Sequence, residues 1–213
     1  MGNCNERFFE IKINTVIKSL EKNGMKGYYA KKKEDVISIV DELTKFDKLI
    51  TSGGSLSLIE SGVIDFLNNN RKNIFLPREK ASTPEEVDEI YRKAFVSDTY
   101  LASTNAITEK GELFNIDGNG NRVSAMIFGP KQVILVVGIN KIVPDMECAE
   151  KRLKSIASPA NCIRLNKKTP CSTLGSCRDC SSPDRICCSF VKLAQQRYVD
   201  RIKVILVPFN LGL

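Results

Sequence analysis

The sequence predicts an α/β domain: a mostly parallel sheet flanked by helices, with a hairpin-rich edge. Three observations carry this. In the first half, segments with apolar residues three and four apart alternate with short apolar runs, which is the texture of alternating helices and strands. From Ser97 to Ile127, short β-like runs are separated by turns rich in Gly, Asn and Asp. Near the other end, Ile202–Val207 reads as a core strand, so the whole chain 1–213 is taken as a single domain and the polar stretch 166–189 as an excursion from it.

The elements follow in order. Phe9, Ile13, Val16, Ile17 and Leu20 form one helical face, which Gly24 ends, and Gly27–Ala30 reads as a strand. Val36, Ile37, Val40 and Leu43 give a second helix, Lys48–Thr51 a buried strand, and Leu56, Ile59, Val63 and Phe66 a third helical stripe. Asn73–Leu76 is again strand-like. Thr83-Pro84-Glu85-Glu86 is a helix start, with a capping hydroxyl, proline in the first turn and Glu three residues on. Val87, Ile90, Tyr91 and Ala94 supply its apolar face. Thr99–Ala102, Leu113–Ile116 and Val123–Ile127 are read as short strands, and Gln132–Val137 as a longer one. Asp145–Ala157 is predicted helical with Ala149, Leu153 and Ile156 inward. Asn166–Ser189 is non-periodic and Lys192–Tyr198 is predicted helical.

Composition narrows the chemistry. There are 213 residues, 42% of them hydrophobic and 27% charged, and no apolar run long enough to span a bilayer. The first residues lack a signal-peptide core, so a cytoplasmic location is expected. There is no histidine, which excludes imidazole bases, Ser-His-Asp triads and His-ligated metals within this chain. The net charge is +7, and from Lys151 onward twelve Lys and Arg face three Asp. No basic run or aromatic–basic motif accompanies that excess, so nucleic acid is not the expected partner. Arginines and lysines offsetting a thiolate-bound metal fit better, with a plain solvated basic face as the alternative.

Two constellations are candidates for an anion pocket. In Thr51-Ser52-Gly53-Gly54-Ser55-Leu56-Ser57 a strand turns into a helix, where Gly53 and Gly54 allow close backbone approach and Ser55 and Ser57 offer hydroxyls. The plainer reading is a helix start capped by Ser55. Asn105, Asp117, Asn121 and Arg122 lie in the hairpin region, and Lys141 follows a buried strand, where α/β sheets bind ligands. Arg122 could clamp a carboxylate or phosphate through paired hydrogen bonds. Asp117, Lys141 and Glu60 are the candidate acid–base groups. For Asp117 a turn role is favoured, and Glu60 is expected to face solvent.

Cys171-x5-Cys177-x2-Cys180-x6-Cys187 places four thiols within 17 residues, the density of a metal site in a reducing compartment. Four thiolates suit zinc or an iron–sulfur cluster, and the spacing does not choose between them. Cys188 could replace Cys187. Cys4, Cys148 and Cys162 stand apart in sequence, and Cys148 is read as a small buried helical residue.

The stretches Ser52–Glu60, Ser103–Thr108, Asn115–Val123, Phe128–Pro130 and Val137–Val143 together resemble the lactate-utilisation (LUD-domain) family. The segment through Asp179-Cys180-Ser181-Ser182-Pro183 resembles its cysteine-bearing subgroup. The resemblance implies a fold similar to ribose-phosphate isomerase and CoA transferase domains, with the turn at Gly53–Ser57 facing a pocket. It also implies a link to lactate-oxidising complexes, whose partners would be iron–sulfur or flavin oxidoreductase subunits. No flavin or nicotinamide fingerprint is present. Three readings follow: a component of organic-acid oxidation with a Cys4 metal site; an isomerase- or transferase-like enzyme on a phosphorylated or CoA-linked metabolite; or a binding module with structural zinc.

Overall fold

The computed structural model describes residues 2–69 and 73–213. Ten strands appear: β1 (Lys26–Tyr29), β2 (Leu49–Ser52), β3 (Ile74–Pro77), β4 (Thr99–Ala102), β5 (Ala106–Thr108), β6 (Leu113–Asp117), β7 (Gln132–Gly138), β8 (Ile142–Val143), β9 (Ser189–Leu193) and β10 (Ile202–Val207). Six form one sheet in the order β1-β10-β7-β4-β2-β3, with every pairing parallel. The expected hairpin-rich edge is a second sheet of its own, ordered β8-β5-β6-β9 and mixed in direction.

The helices are α1 (Gly2–Lys22), α2 (Lys33–Leu43), α3 (Leu56–Glu60), α4 (Val63–Asn69), α5 (Pro84–Lys93), α6 (Asn121–Phe128), α7 (Met146–Arg152), α8 (Ser158–Arg164) and α9 (Pro170–Leu174). A parallel sheet must be covered on both faces. Side chains alternate across β7 and β10 to do this. Val133, Leu135, Val137, Val204 and Leu206 pack toward α1, α6 and the second sheet. Ile134, Val136, Ile205 and Val207 pack toward α2, α3 and α4. None of the helices described is long and apolar enough to cross a membrane.

Several local expectations are corrected. Val123–Ile127 is not a strand but the body of α6. Its alternating apolar residues also fit a helical face through Val123 and Met126, and Asp117 nucleates the helix by accepting from the N–H groups of Gly120 (3.0 Å) and Val123 (3.3 Å). Arg201 closes the other end of α6, donating to the carbonyls of Ala125 and Met126. Lys192–Tyr198 is not helical: Ser189–Leu193 instead pairs antiparallel with β6, one face half-buried and the other exposed. The third stripe is broken into α3 and α4 at Gly62, whose φ is +80°, and Ile59 is 50% exposed. The predicted helix Asp145–Ala157 opens into a wider π turn at Leu153–Ala157, just before Pro159 would clash with a tight α turn. Ile156 consequently faces out, 52% exposed. Within the stretch read as non-periodic, Pro170–Leu174 forms α9.

Candidate functional site

The carboxyl ends of β2, β4 and β7 lie side by side, and each feeds residues into one cleft of about 580 Å3. β2 delivers Gly53, Gly54, Ser55 and Ser57. β4 delivers Ser103, Thr104 and Asn105. β7 delivers Lys141 through a single 3-10 turn. Asp117, Asn121 and Arg122 enter from β6 and α6. The candidate pocket residues other than Glu60 are therefore gathered on one cleft. Its charged lining is one-sided: Arg78, Arg122, Lys141, Arg164, Lys167 and Arg185 against Asp117 and Asp184.

Gly53 is required by space as well as by the turn. A β-carbon there would run into the hydroxyl of the buried Tyr100. Burial holds that phenol well above its usual range, so it remains protonated. Ser55 caps α3 as the plainer reading had it, accepting from the Leu58 N–H at 3.4 Å.

Lys141 is 4% exposed and its amine donates to Ser57 Oγ (2.9 Å) and Ser103 Oγ (3.0 Å). Burial, then the charges of Arg152 and Arg122, bring its ammonium down to about 7, with Glu60 acting in the opposite direction. Arg152 positions this corner from behind, donating to the carbonyls of Asn140 (2.9 Å) and Asn105 (2.8 Å).

Arg122 lines the cleft but its guanidinium is committed to the protein. Nη1 donates to Asn115 Oδ1 (2.7 Å) and the Ser103 carbonyl (3.0 Å). Nη2 donates to the Ile116 carbonyl (2.9 Å) and Asn105 Oδ1 (3.0 Å), and Nε lies 3.6 Å from Asp117. Its geometry is that of an internal clamp joining β4, β6 and α6. Asp117 is engaged in the α6 cap, as its turn reading implied. Glu60 is exposed and accepts from the Gly212 N–H at 2.6 Å. Ser103, Asn115 and Arg152 were not singled out in the sequence. Ser103 had a signal, since it directly follows a strand; Asn115 and Arg152 act through long-range contacts that no local pattern reveals.

A second, small cavity of about 20 Å3 is lined by Cys171, Cys177, Cys180 and Cys187. Cys162, expected to stand apart, lines it too. It is 1% exposed on α8, and burial beside Cys171 and Cys187 raises its thiol to about 11. Burial also raises Cys187. At Asp179, where φ is +45°, the backbone N–H turns back onto Cys177 Sγ at 3.4 Å, as a chelating Cys-x2-Cys turn requires. Lys154, Arg178 and Arg185 surround the cavity. Among the described residues, no group of three His, Cys, Asp or Glu side chains is set closely enough to hold a metal ion. The fit to a metal thus lies in donor chemistry and surroundings, not in a closed shell. Cys148 is half-buried near the start of α7, packed at the edge of a core cluster and not fully buried, and Cys188 is exposed.

A family model for the LUD domain matches residues 13–207, most of the chain. The chain belongs to the LUD-domain family. A solved structure, the crystal structure of a DUF162 family protein from Deinococcus radiodurans, superposes with a TM-score of 0.53 at 13% identity. It covers 93% of this chain and 98% of its own, a likeness of fold. Among curated proteins none matches this LUD-domain chain.

Proposed function

We propose that this LUD-domain protein is a component of lactate or related organic-acid utilisation that holds a small anionic metabolite in the cleft around Lys141. The observation that carries this is a buried amine, bonded only to hydroxyls, in a cleft whose charged groups are mostly cationic. A buried cation without a carboxylate partner is costly, and a bound anion offsets that cost. Cys171, Cys177, Cys180 and Cys187 are the proposed ligands of a metal centre, iron–sulfur or zinc, in keeping with their convergence on one cavity among basic neighbours.

Two measurements test the proposal. Thermal melts with lactate, inorganic phosphate and acetyl-CoA should show a concentration-dependent rise with at least one of them, because a ligand of the native state adds stability. No rise with any of them at millimolar concentration refutes the cleft reading. Anaerobic purification with iron, sulfide and zinc analysis tests the thiols, and a chain free of all three under chelator-free conditions refutes the metal reading.

A further inference from the structure

The protons around Lys141 can be assigned. Ser57 Oγ donates its only proton to the Leu211 carbonyl (3.3 Å), and Ser103 Oγ donates its own to the carbonyl of Val136 (2.8 Å). Neither hydroxyl has a second proton, so both act toward Lys141 only as acceptors. A neutral amine has two N–H bonds, and these two oxygens take both. Its lone pair is left over on a side chain that lines the cleft. The charged groups that act on this amine are Arg152, Arg122 and Glu60, and the Glu60 carboxylate bonds to the Gly212 N–H. Arg152 and Arg122 favour the neutral form, as does burial, so at neutral pH much of Lys141 is a free amine. A desolvated lysine beside other cations is the arrangement that activates an amine as a nucleophile.

We propose that Lys141 binds its ligand covalently, condensing with the aldehyde or ketone carbonyl of a small anionic metabolite to form an iminium link. The amine nitrogen adds to the carbonyl carbon, and the π electron pair moves to oxygen, which takes up a proton as nitrogen loses one. The resulting hydroxyl takes a second proton and leaves as water, giving a C=N bond with a positive nitrogen. Amine, carbonyl compound and one proton thus become iminium and water, with no oxidant or reductant needed. Ser57 and Ser103, acting only as acceptors, hold the nitrogen in place for this attack. The anionic group of the ligand, carboxylate or phosphate, is matched by Arg78, Arg164 and Arg185 on the cleft wall.

This rests on the anion-cleft reading, and the test separates the two. The full-length protein is incubated with pyruvate, as a carboxylate ketone, or dihydroxyacetone phosphate, as a phosphate ketone, then treated with cyanoborohydride. Intact mass and peptide mapping follow. The expected result is one dominant adduct on the Lys141 peptide, suppressed by lactate or phosphate, absent in Lys141→Arg, and stronger as pH rises through about 7. The ketone that labels identifies the anionic group. A ketone that raises the melting temperature but leaves Lys141 unlabelled overturns the covalent proposal and leaves the cleft reading standing. Labelling spread over surface lysines, with Lys141 no more modified than the rest, also overturns it. Mapping on the wild-type chain keeps the result decisive even if Lys141→Arg does not fold.

Discussion

Arg122 separates a structural clamp from a ligand clamp. Arg122→Met keeps the aliphatic body and removes the guanidinium. Four hydrogen bonds at 2.7–3.0 Å are lost, and the carbonyls of Ser103 and Ile116 and the side-chain oxygens of Asn105 and Asn115 are left without that donor. At roughly 1–1.5 kcal/mol net for each bond, the gross loss is about 4–6 kcal/mol. Relief from burying a cation returns part of this, so a net cost of about 4 kcal/mol is expected, within the range for breaking a buried charged network. For a domain of this size, each kcal/mol moves the melting temperature by about 2–4 °C, so the variant should melt about 8–16 °C lower. Thermal unfolding followed by far-UV circular dichroism, with urea unfolding as a check, reads this directly. Arg122→Lys retains a charge but not the planar fork, and should fall between the two. A methionine variant melting within about 2 °C of the parent while losing anion binding would refute the clamp, since a shift that small corresponds to about 1 kcal/mol or less. The residue would then belong to the ligand.

Three further outcomes follow from the geometry. Lys141 sits below its ordinary value in the folded chain, so between about pH 7 and 10.5 the unfolded chain holds more protons and this group's contribution to stability rises with pH. A simple anion such as phosphate favours the ammonium, so the melting-temperature increase it gives should shrink from pH 6 to pH 9; an increase independent of pH would detach anion binding from Lys141. Cys162→Ser should lower the metal bound per chain as Cys171→Ser does, because both side chains line the thiol cavity; a metal content equal to the parent would return Cys162 to a plain core thiol. Gly53→Ala should cost about 1–3 kcal/mol through overpacking against Tyr100, and adding Tyr100→Phe should recover part of that stability; a melting temperature unchanged by Gly53→Ala would show that the turn has room to spare.

The main sheet was legible because its strands are buried on both faces and read as continuous apolar runs, such as Val133–Val137 and Ile202–Val207. Gly53, Ser57 and Lys141 were legible for a related reason: they follow strands, and the ends of neighbouring parallel strands converge. What failed was local and short. Val123, Ala125 and Ile127 alternate as a strand would, and only the Asp117 cap decides for helix. Arg122 was visible as a residue but not in its role, because its acceptors lie 6 to 19 positions away on separate elements. Cys162 was hidden because it sits nine residues before Cys171, outside the compact spacing of the other four. It reaches the other thiols only where the chain turns after α8, with the Lys167 N–H bonding back to its carbonyl at 2.9 Å.

The uneven charge of the chain is reflected in part in the wall between the two cavities. Part of the basic excess beyond Lys151 lies on these two cavities. Arg164, Lys167 and Arg185 line the cleft around Lys141, while Lys154, Arg178 and Arg185 line the thiol cavity. Ile116, Arg185 and Ile186 belong to both. Arg185 is fixed there by donating to the carbonyls of Cys180 (2.6 Å) and Cys187 (2.8 Å). The same segment is tied to the cleft floor, where the Cys188 N–H donates to the Asp117 carbonyl at 3.0 Å. A metal held by thiolates, as proposed, and a small acid beside Lys141 would both be anionic loads, and cations between them would stabilise each by Coulomb attraction. Arg185 faces both loads from a backbone held by the cysteine segment itself. The cleft and the thiol cavity thus share one short stretch of chain around Arg185 and Ile186.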